Sequence, residues 1–194
     1  MLNKEFWQNR YEEGKTGWDA AEVTTPIKEY FDKMENKTLK ILIPGCGNAH
    51  EAVYLFNKGF RNLYLCDWAE NALANFAKNN PGFPENQLIC GDFFQLEHRD
   101  FDYVVEQTFF CAIDPDLRPD YAQKMSEILK EGGKLVGLFF GEALAIDREG
   151  PPFGGSKKEY MDYFTPHFSI VKMEDCKNSI KPREGSELFI EIIK

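Results

Sequence analysis

The sequence predicts an α/β fold, a mostly parallel seven-stranded sheet with helices on both faces and an antiparallel last strand. Three observations predict it. Short apolar runs alternate with helix-period segments along most of the chain. The first run closes on a glycine-bearing turn, and an acidic residue ends the second about 20 residues later, as in doubly wound sheets. The last two runs alternate in hydrophobicity and are joined by a polar segment, which marks a hairpin.

In chain order, the first strand is expected at Leu39 to Ile43, closing on Pro44-Gly45-Cys46-Gly47. Asn48 is placed to cap the next helix, with Glu51 as its capping-box partner. Ala52, Val53, Leu55 and Phe56 form that helix's apolar stripe, and Gly59 ends it. A strand over Leu63 to Cys66 stops at Asp67, and a helix carrying Ala72, Leu73, Phe76 and Ala77 halts before Pro81. A short strand, Gln87 to Cys90, runs into Gly91-Asp92-Phe93-Phe94, and Phe101 to Glu106 is the fourth strand. Pro119 suits a first helical turn; Tyr121, Met125, Ile128 and Leu129 form the buried face, and Gly132-Gly133 ends the helix. Lys134 to Phe140 is the fifth strand, followed by a Gly- and Pro-rich loop over 141–155. Ser156 and Glu159 make a second capping box, and Phe168 to Glu174 with Glu187 to Ile193 form the closing hairpin. Residues 1–37 read as an N-terminal helical cover, and 1–194 as one domain, the size at which one core suffices.

Composition narrows the function. A net charge of -9 argues against nucleic acid as the main partner, because phosphate binding needs clustered Lys and Arg. No apolar run approaches the ~20 residues of a membrane span, and the opening MLNKEFWQNRYEEGK lacks the apolar stretch of a secretory signal. A cytoplasmic protein, monomeric or weakly dimeric, is expected. The five cysteines are scattered without a C-x-x-C pair and read as reduced core thiols, and the three histidines lie far apart, so no metal is expected.

Chemistry concentrates between Ile41 and Asp67. Gly45 and Gly47 let backbone approach a ligand, and Asp67 stands where this fold grips a ribose hydroxyl pair. His50 occupies the third-glycine position of a dinucleotide fingerprint, which favours a nucleoside without a pyrophosphate; a plain strand-to-helix turn is the alternative. Asp92 with Phe93 suits an adenine, or else a turn before two core phenylalanines. Glu106 closes a strand at the ligand-bearing edge, or is simply a solvated strand end. The apolar stretch 107–115 reads equally as a lined pocket or as core. Trp7 and Tyr11 share one helix face and, with Trp18, suit either core packing or a lid over a cation.

Together, Phe6-Trp7 with Tyr11, Thr16-Gly17-Trp18-Asp19, Thr25-Pro26 and Ile43-Pro44-Gly45-Cys46-Gly47 resemble the thiopurine S-methyltransferase superfamily. Phe101-Asp102-Tyr103, the run from Phe109 to Pro115, Arg118-Pro119 and Gly150-Pro151-Pro152-Phe153 are similar to its halide/thiol methyltransferase branch. The resemblance covers nearly the whole chain in order. It implies the class I S-adenosylmethionine-dependent methyltransferase fold, Rossmann-like, with S-adenosyl-L-methionine as cofactor. It places Trp7, Tyr11, Trp18, Gly45, Gly47, Asp67, the adjacent Trp68, Asp92, Phe93 and Glu106 at the cofactor. It puts Phe110 and Phe140 in the acceptor pocket and Arg118 near the acceptor as the catalytic candidate. Tyr11 stands where plant halide enzymes carry Trp, and Phe140 where they carry a Tyr. The implied activity is methyl transfer to a small thiol, sulfide or halide. The competing readings are an NAD(P)-dependent oxidoreductase and a non-catalytic nucleoside-binding module on the same fold.

Overall fold

Strand β1 (Ile41–Pro44) is buried at all four positions, as a central parallel strand must be. In the computed structural model, which describes residues 2–144 and 149–194, it lies between β2 (Leu63–Asp67) and β4 (Phe101–Gln107). With β3 (Leu88–Cys90), β5 (Leu129–Phe140), β6 (Ile170–Asp175) and β7 (Glu187–Ile193) they form one sheet, ordered β3-β2-β1-β4-β5-β7-β6. Pairs among β1 to β5 are parallel, whereas β7 runs antiparallel to both β5 and β6. The predicted fold class therefore holds.

Alternation along the strands feeds two cores. Ile41, Ile43 and Val105 join Ile27, Phe31, Leu55 and Phe76 on one side. These come from α2 (Thr25–Asp32), α3 (His50–Asn57) and α4 (Glu70–Asn79). Leu42, Val104 and Ile190 join Tyr121, Met125, Tyr160 and Phe164 on the other, from α5 (Arg118–Ile128) and α6 (Lys157–Phe164). Helix α1 (Lys4–Glu12) buries no residue; it rests on α4 through Lys4–Glu70 at 2.5 Å and Asn71–Glu12 at 3.1 Å. Among the described residues no helix is long and apolar enough to cross a membrane.

Three local expectations are corrected. The cap of α3 is Ala49, in left-handed backbone at φ 53°, without a side-chain bond. Asn48 donates instead to Asp19, and Glu51 turns inward. Gly132-Gly133 does not follow the helix: α5 ends at Ile128 and β5 begins at once with Leu129. The two glycines form an irregularity within β5, where the register shifts between Phe101↔Leu129 and Tyr103↔Lys134. A Cβ on Gly133 would lie 2.8 Å from the Phe101 carbonyl, so the strand can pass only without one. The expected Ser156 cap forms, its hydroxyl accepting from Glu159 N at 3.1 Å, but the Glu159 carboxylate turns to Arg118 and Tyr163 instead of closing a capping box.

Candidate methyl-donor and acceptor site

β1 pairs with β2 on one side and β4 on the other, so the chain's direction of winding reverses there and a crevice opens at the strands' C-terminal ends. The turn after β1 is left-handed at Gly45 (φ +55°) and Gly47 (φ +52°). A Cβ on Gly45 would lie 2.3 Å from the Phe109 ring, and one on Gly47 would lie 2.5 Å from the Tyr11 hydroxyl. The bend is therefore bare on both counts, backbone angle and space. Asp67 ties it to β2: Oδ2 accepts from Gly47 N and Oδ1 from Ala69 N, both at 2.8 Å. Burial pushes the Asp67 carboxyl above its ordinary range, and only backbone N–H groups ease it.

A cavity of about 470 Å³ lies over this bend, within the size range of small-molecule sites. Gly45, Asp67, Trp68, Asp92 and Phe93 line one part of it. Asp92 Oδ1 accepts from Phe94 N at 2.9 Å, which fixes the turn after β3. Trp7, Tyr11 and Trp18 line it from the N-terminal segment, packed edge to face with centroids 5.5 Å (Trp7–Trp18) and 5.8 Å (Tyr11–Trp18) apart. Phe109, Cys111, Ile113, Phe140, Pro151 and Arg183 line it as well.

Four sequence candidates stand elsewhere. Gly47 lines a smaller adjoining recess. Glu106 is fully buried: Oε1 accepts from Phe109 N at 2.8 Å and Phe110 N at 2.9 Å, and Oε2 accepts from the Tyr121 hydroxyl at 2.5 Å. It holds the turn that carries Phe109, with Thr108 in left-handed backbone at φ 61°. Phe110 is core, stacked on Phe139 at 4.1 Å, because that turn sends Phe109 to the cavity and Phe110 away from it. Arg118 is 0% exposed and does not line the cavity. Its guanidinium donates to the carbonyls of Phe153 and Gly154 at 3.1–3.2 Å and pairs with Glu159 at 3.3 Å, between the rings of Phe110 and Tyr160. The reason is positional: the first residue of α5 faces the 150–155 segment and α6.

Arg183 is the residue that sequence reasoning passed over. Its Nη2 donates to the Trp18 carbonyl at 2.5 Å, Nη1 pairs with Glu187 at 3.3 Å, and the guanidinium lies 5.7 Å from the Phe140 ring centroid. In the sequence it sits in a polar connection, and only Pro182 and Gly185 hint at an ordered turn.

Burial pushes Glu106 up to about 7 from an ordinary 4.5. The native chain then holds this proton more tightly than the unfolded one. The stabilisation is full below the unfolded value and is lost as pH rises towards 7. Glu106→Gln is expected to remove that slope. Thermal melts from pH 4.5 to 7.5, wild type minus variant, measure it; identical pH profiles would contradict it.

The crevice fits S-adenosylmethionine: a bend that a Cβ would fill, a buried carboxylate eased only by backbone, and aromatic rings suited to a sulfonium. The family model described as thiopurine S-methyltransferase matches residues 2–191. The chain belongs to the thiopurine S-methyltransferase family. Within this family it is an S-adenosylmethionine-dependent methyltransferase, and no comparison supports a nicotinamide enzyme or a non-catalytic module. It is 31% identical to an Arabidopsis thaliana protein named probable thiol methyltransferase 2, over 93% of this chain and 81% of that one. It is 30% identical to thiocyanate methyltransferase 1 of Brassica oleracea, with the same coverage. Among solved structures, a Burkholderia thailandensis 1,6-didemethyltoxoflavin-N1-methyltransferase with bound S-adenosylhomocysteine superposes with a TM-score of 0.74 at 16% identity. That match covers 100% of this chain and 87% of the other, and it supports the fold.

Proposed function

We propose that this methyltransferase acts on the sulfur of small thiols or sulfide, with halide as a slower acceptor. The observation that carries the reading is the character of the cavity away from Asp67. Its walls are mainly apolar (Phe109, Ile113, Phe140, Pro151), with the Arg183 guanidinium among them and no histidine among the described lining residues. Such walls strip water from a nucleophile, and a fixed cation holds a thiolate, the form in which a thiol attacks. When bound, S-adenosylmethionine supplies a methyl group on a sulfonium, already activated for in-line displacement. The protein's share is alignment, which supplies several kcal/mol through proximity without a general base. In this reading Asp67 holds the ribose, Asp92 and Phe93 the adenine, and Trp7, Tyr11 and Trp18 face the cationic sulfur. Residues 1–37 then act as the cover of a single domain, since α1 carries Trp7 and Tyr11. Phe140 offers no hydroxyl to an anion, so a halide has little to hold it, whereas the carbon part of a small thiol also packs on the apolar walls.

Five unpaired cysteines suit the reducing cytoplasm, where we place the enzyme. Incubation with S-adenosylmethionine and a panel of sulfide, small thiols, thiocyanate and iodide, with S-adenosylhomocysteine and headspace products measured, tests the acceptor. Thiols and sulfide should turn over at least about tenfold faster than iodide, a gap of about 1.4 kcal/mol in barrier. Iodide in the lead would reverse the order proposed.

A further inference from the structure

Cations are scarce around the main cavity. Asp67, Asp92 and Asp114 line it, and among the described lining residues only Arg10 and Arg183 oppose them. Both ends of the Arg183 fork are committed, Nη2 to the Trp18 carbonyl and Nη1 to Glu187. Arg10 is different. It lies in the last turn of α1 on the face that carries Trp7 and Tyr11, half-buried, with its guanidinium over the Phe6 ring at 4.7 Å. Of the five described arginines, Arg61, Arg99, Arg118 and Arg183 each donate to a carbonyl. The Arg10 guanidinium alone makes no hydrogen bond or ion pair with a described residue. Stacking occupies the face of a guanidinium and leaves its in-plane N–H donors free. Such a fork matches a carboxylate, which it binds through two parallel hydrogen bonds.

We propose that Arg10 determines acceptor specificity by taking the carboxylate of a small mercapto acid, while Arg183 faces the sulfur. Trp7 and Tyr11 meet the sulfonium in the function proposed above, so an anion held by their neighbour Arg10 arrives with the second substrate. Arg10 outcompetes Arg183 for the carboxylate because the Arg183 donors are shared with Trp18 and Glu187. Without Arg10 the three aspartates would repel such an acceptor. The transfer itself is unchanged. The thiol proton leaves to water, the acceptor sulfur forms a bond to the methyl carbon as the sulfonium bond to that carbon breaks, and the carboxylate takes no part.

The inference rests on a thiol being the acceptor. Its test uses mercaptoacetate and 3-mercaptopropionate, each beside its own amide, with kcat/KM measured in wild type, Arg10→Met and Arg10→Lys. Met keeps a long side chain over Phe6 without the charge. An acid and its amide differ in intrinsic reactivity, so the readout is the acid-to-amide ratio in the variant relative to wild type, from which that difference cancels. For the better of the two acids, Arg10→Met should lower the ratio about 3- to 10-fold, as for a charged contact partly screened by water. Arg10→Lys keeps the charge but not the fork and should fall between. If the Met variant melts early by circular dichroism, Arg10→Gln replaces it and should show the same loss. Calorimetry with S-adenosylhomocysteine reads the donor separately, and Arg10→Met should change its Kd less than about twofold. An unchanged ratio overturns the inference. So does a loss of S-adenosylhomocysteine affinity as large as the loss for the acid, which would assign Arg10 to the donor's own carboxylate. A wild type that turns over none of the four thiols removes the thiol reading and this inference with it.

Discussion

Asp67→Ala is expected to weaken S-adenosylhomocysteine binding by about 100-fold or more. Two hydrogen bonds from ribose hydroxyls to a carboxylate contribute about 1.5–3 kcal/mol each, and a tenfold change in affinity corresponds to about 1.4 kcal/mol. The variant also strips Gly47 N and Ala69 N of their acceptor, so the bend after β1 loosens and less of the protein is poised to bind. Asp67→Asn separates the two contributions. It keeps one side-chain acceptor for the backbone but loses the charge, and its loss should fall between wild type and Ala. Titration calorimetry on all three proteins is the measurement. An Ala variant binding as tightly as wild type would place the nucleoside elsewhere.

Removing the two arginines should separate folding from turnover. Arg118→Ala leaves the carbonyls of Phe153 and Gly154 without their donor, in a site from which the guanidinium is fully excluded from water, while Glu159 stays a quarter exposed and keeps the Tyr163 hydroxyl. The loss therefore falls mainly on the two carbonyls, at about 1–3 kcal/mol each. For a chain of this size that lowers the melting temperature by roughly 10 °C. Donor affinity at a permissive temperature should stay within about twofold, because no donor hydrogen bond is lost. Arg183 predicts the reverse. It is tested as Arg183→Met with Glu187→Gln, since Glu187 is buried and would otherwise remain as an unpaired charge. This double variant should melt within a few degrees of wild type, yet lose about tenfold or more in kcat/KM for thiols, as a contact to a charged group is removed. A large drop in melting temperature with normal thiol turnover in the double variant would assign Arg183 to stability instead.

Much of this molecule was legible in one dimension because its signals are local. β1 and β2 are apolar runs cut off by Gly45 and Asp67, and those two residues do meet, through Gly47 N on Asp67 Oδ2. Ser156 caps α6 because capping depends on a few consecutive residues. The errors cluster where direction, not residue type, decides. A single left-handed residue, Thr108, sends Phe109 into the cavity and Phe110 into the core, though the two are adjacent and chemically identical. Glu106 looks like a ligand acid at a strand end until the backbone of that same turn folds over it.

The sequence by itself determined the sheet, the bare bend and the carboxylate beside it, since hydrophobic period and glycine backbone freedom act over a few residues. Tertiary structure decided which charged groups face the cavity. Arg183 reaches Trp18 across 165 positions because β7 folds back between β5 and β6, while Arg118 is enclosed by α6 and the 150–155 segment. Long-range chain return sets those distances, and no local spacing encodes it.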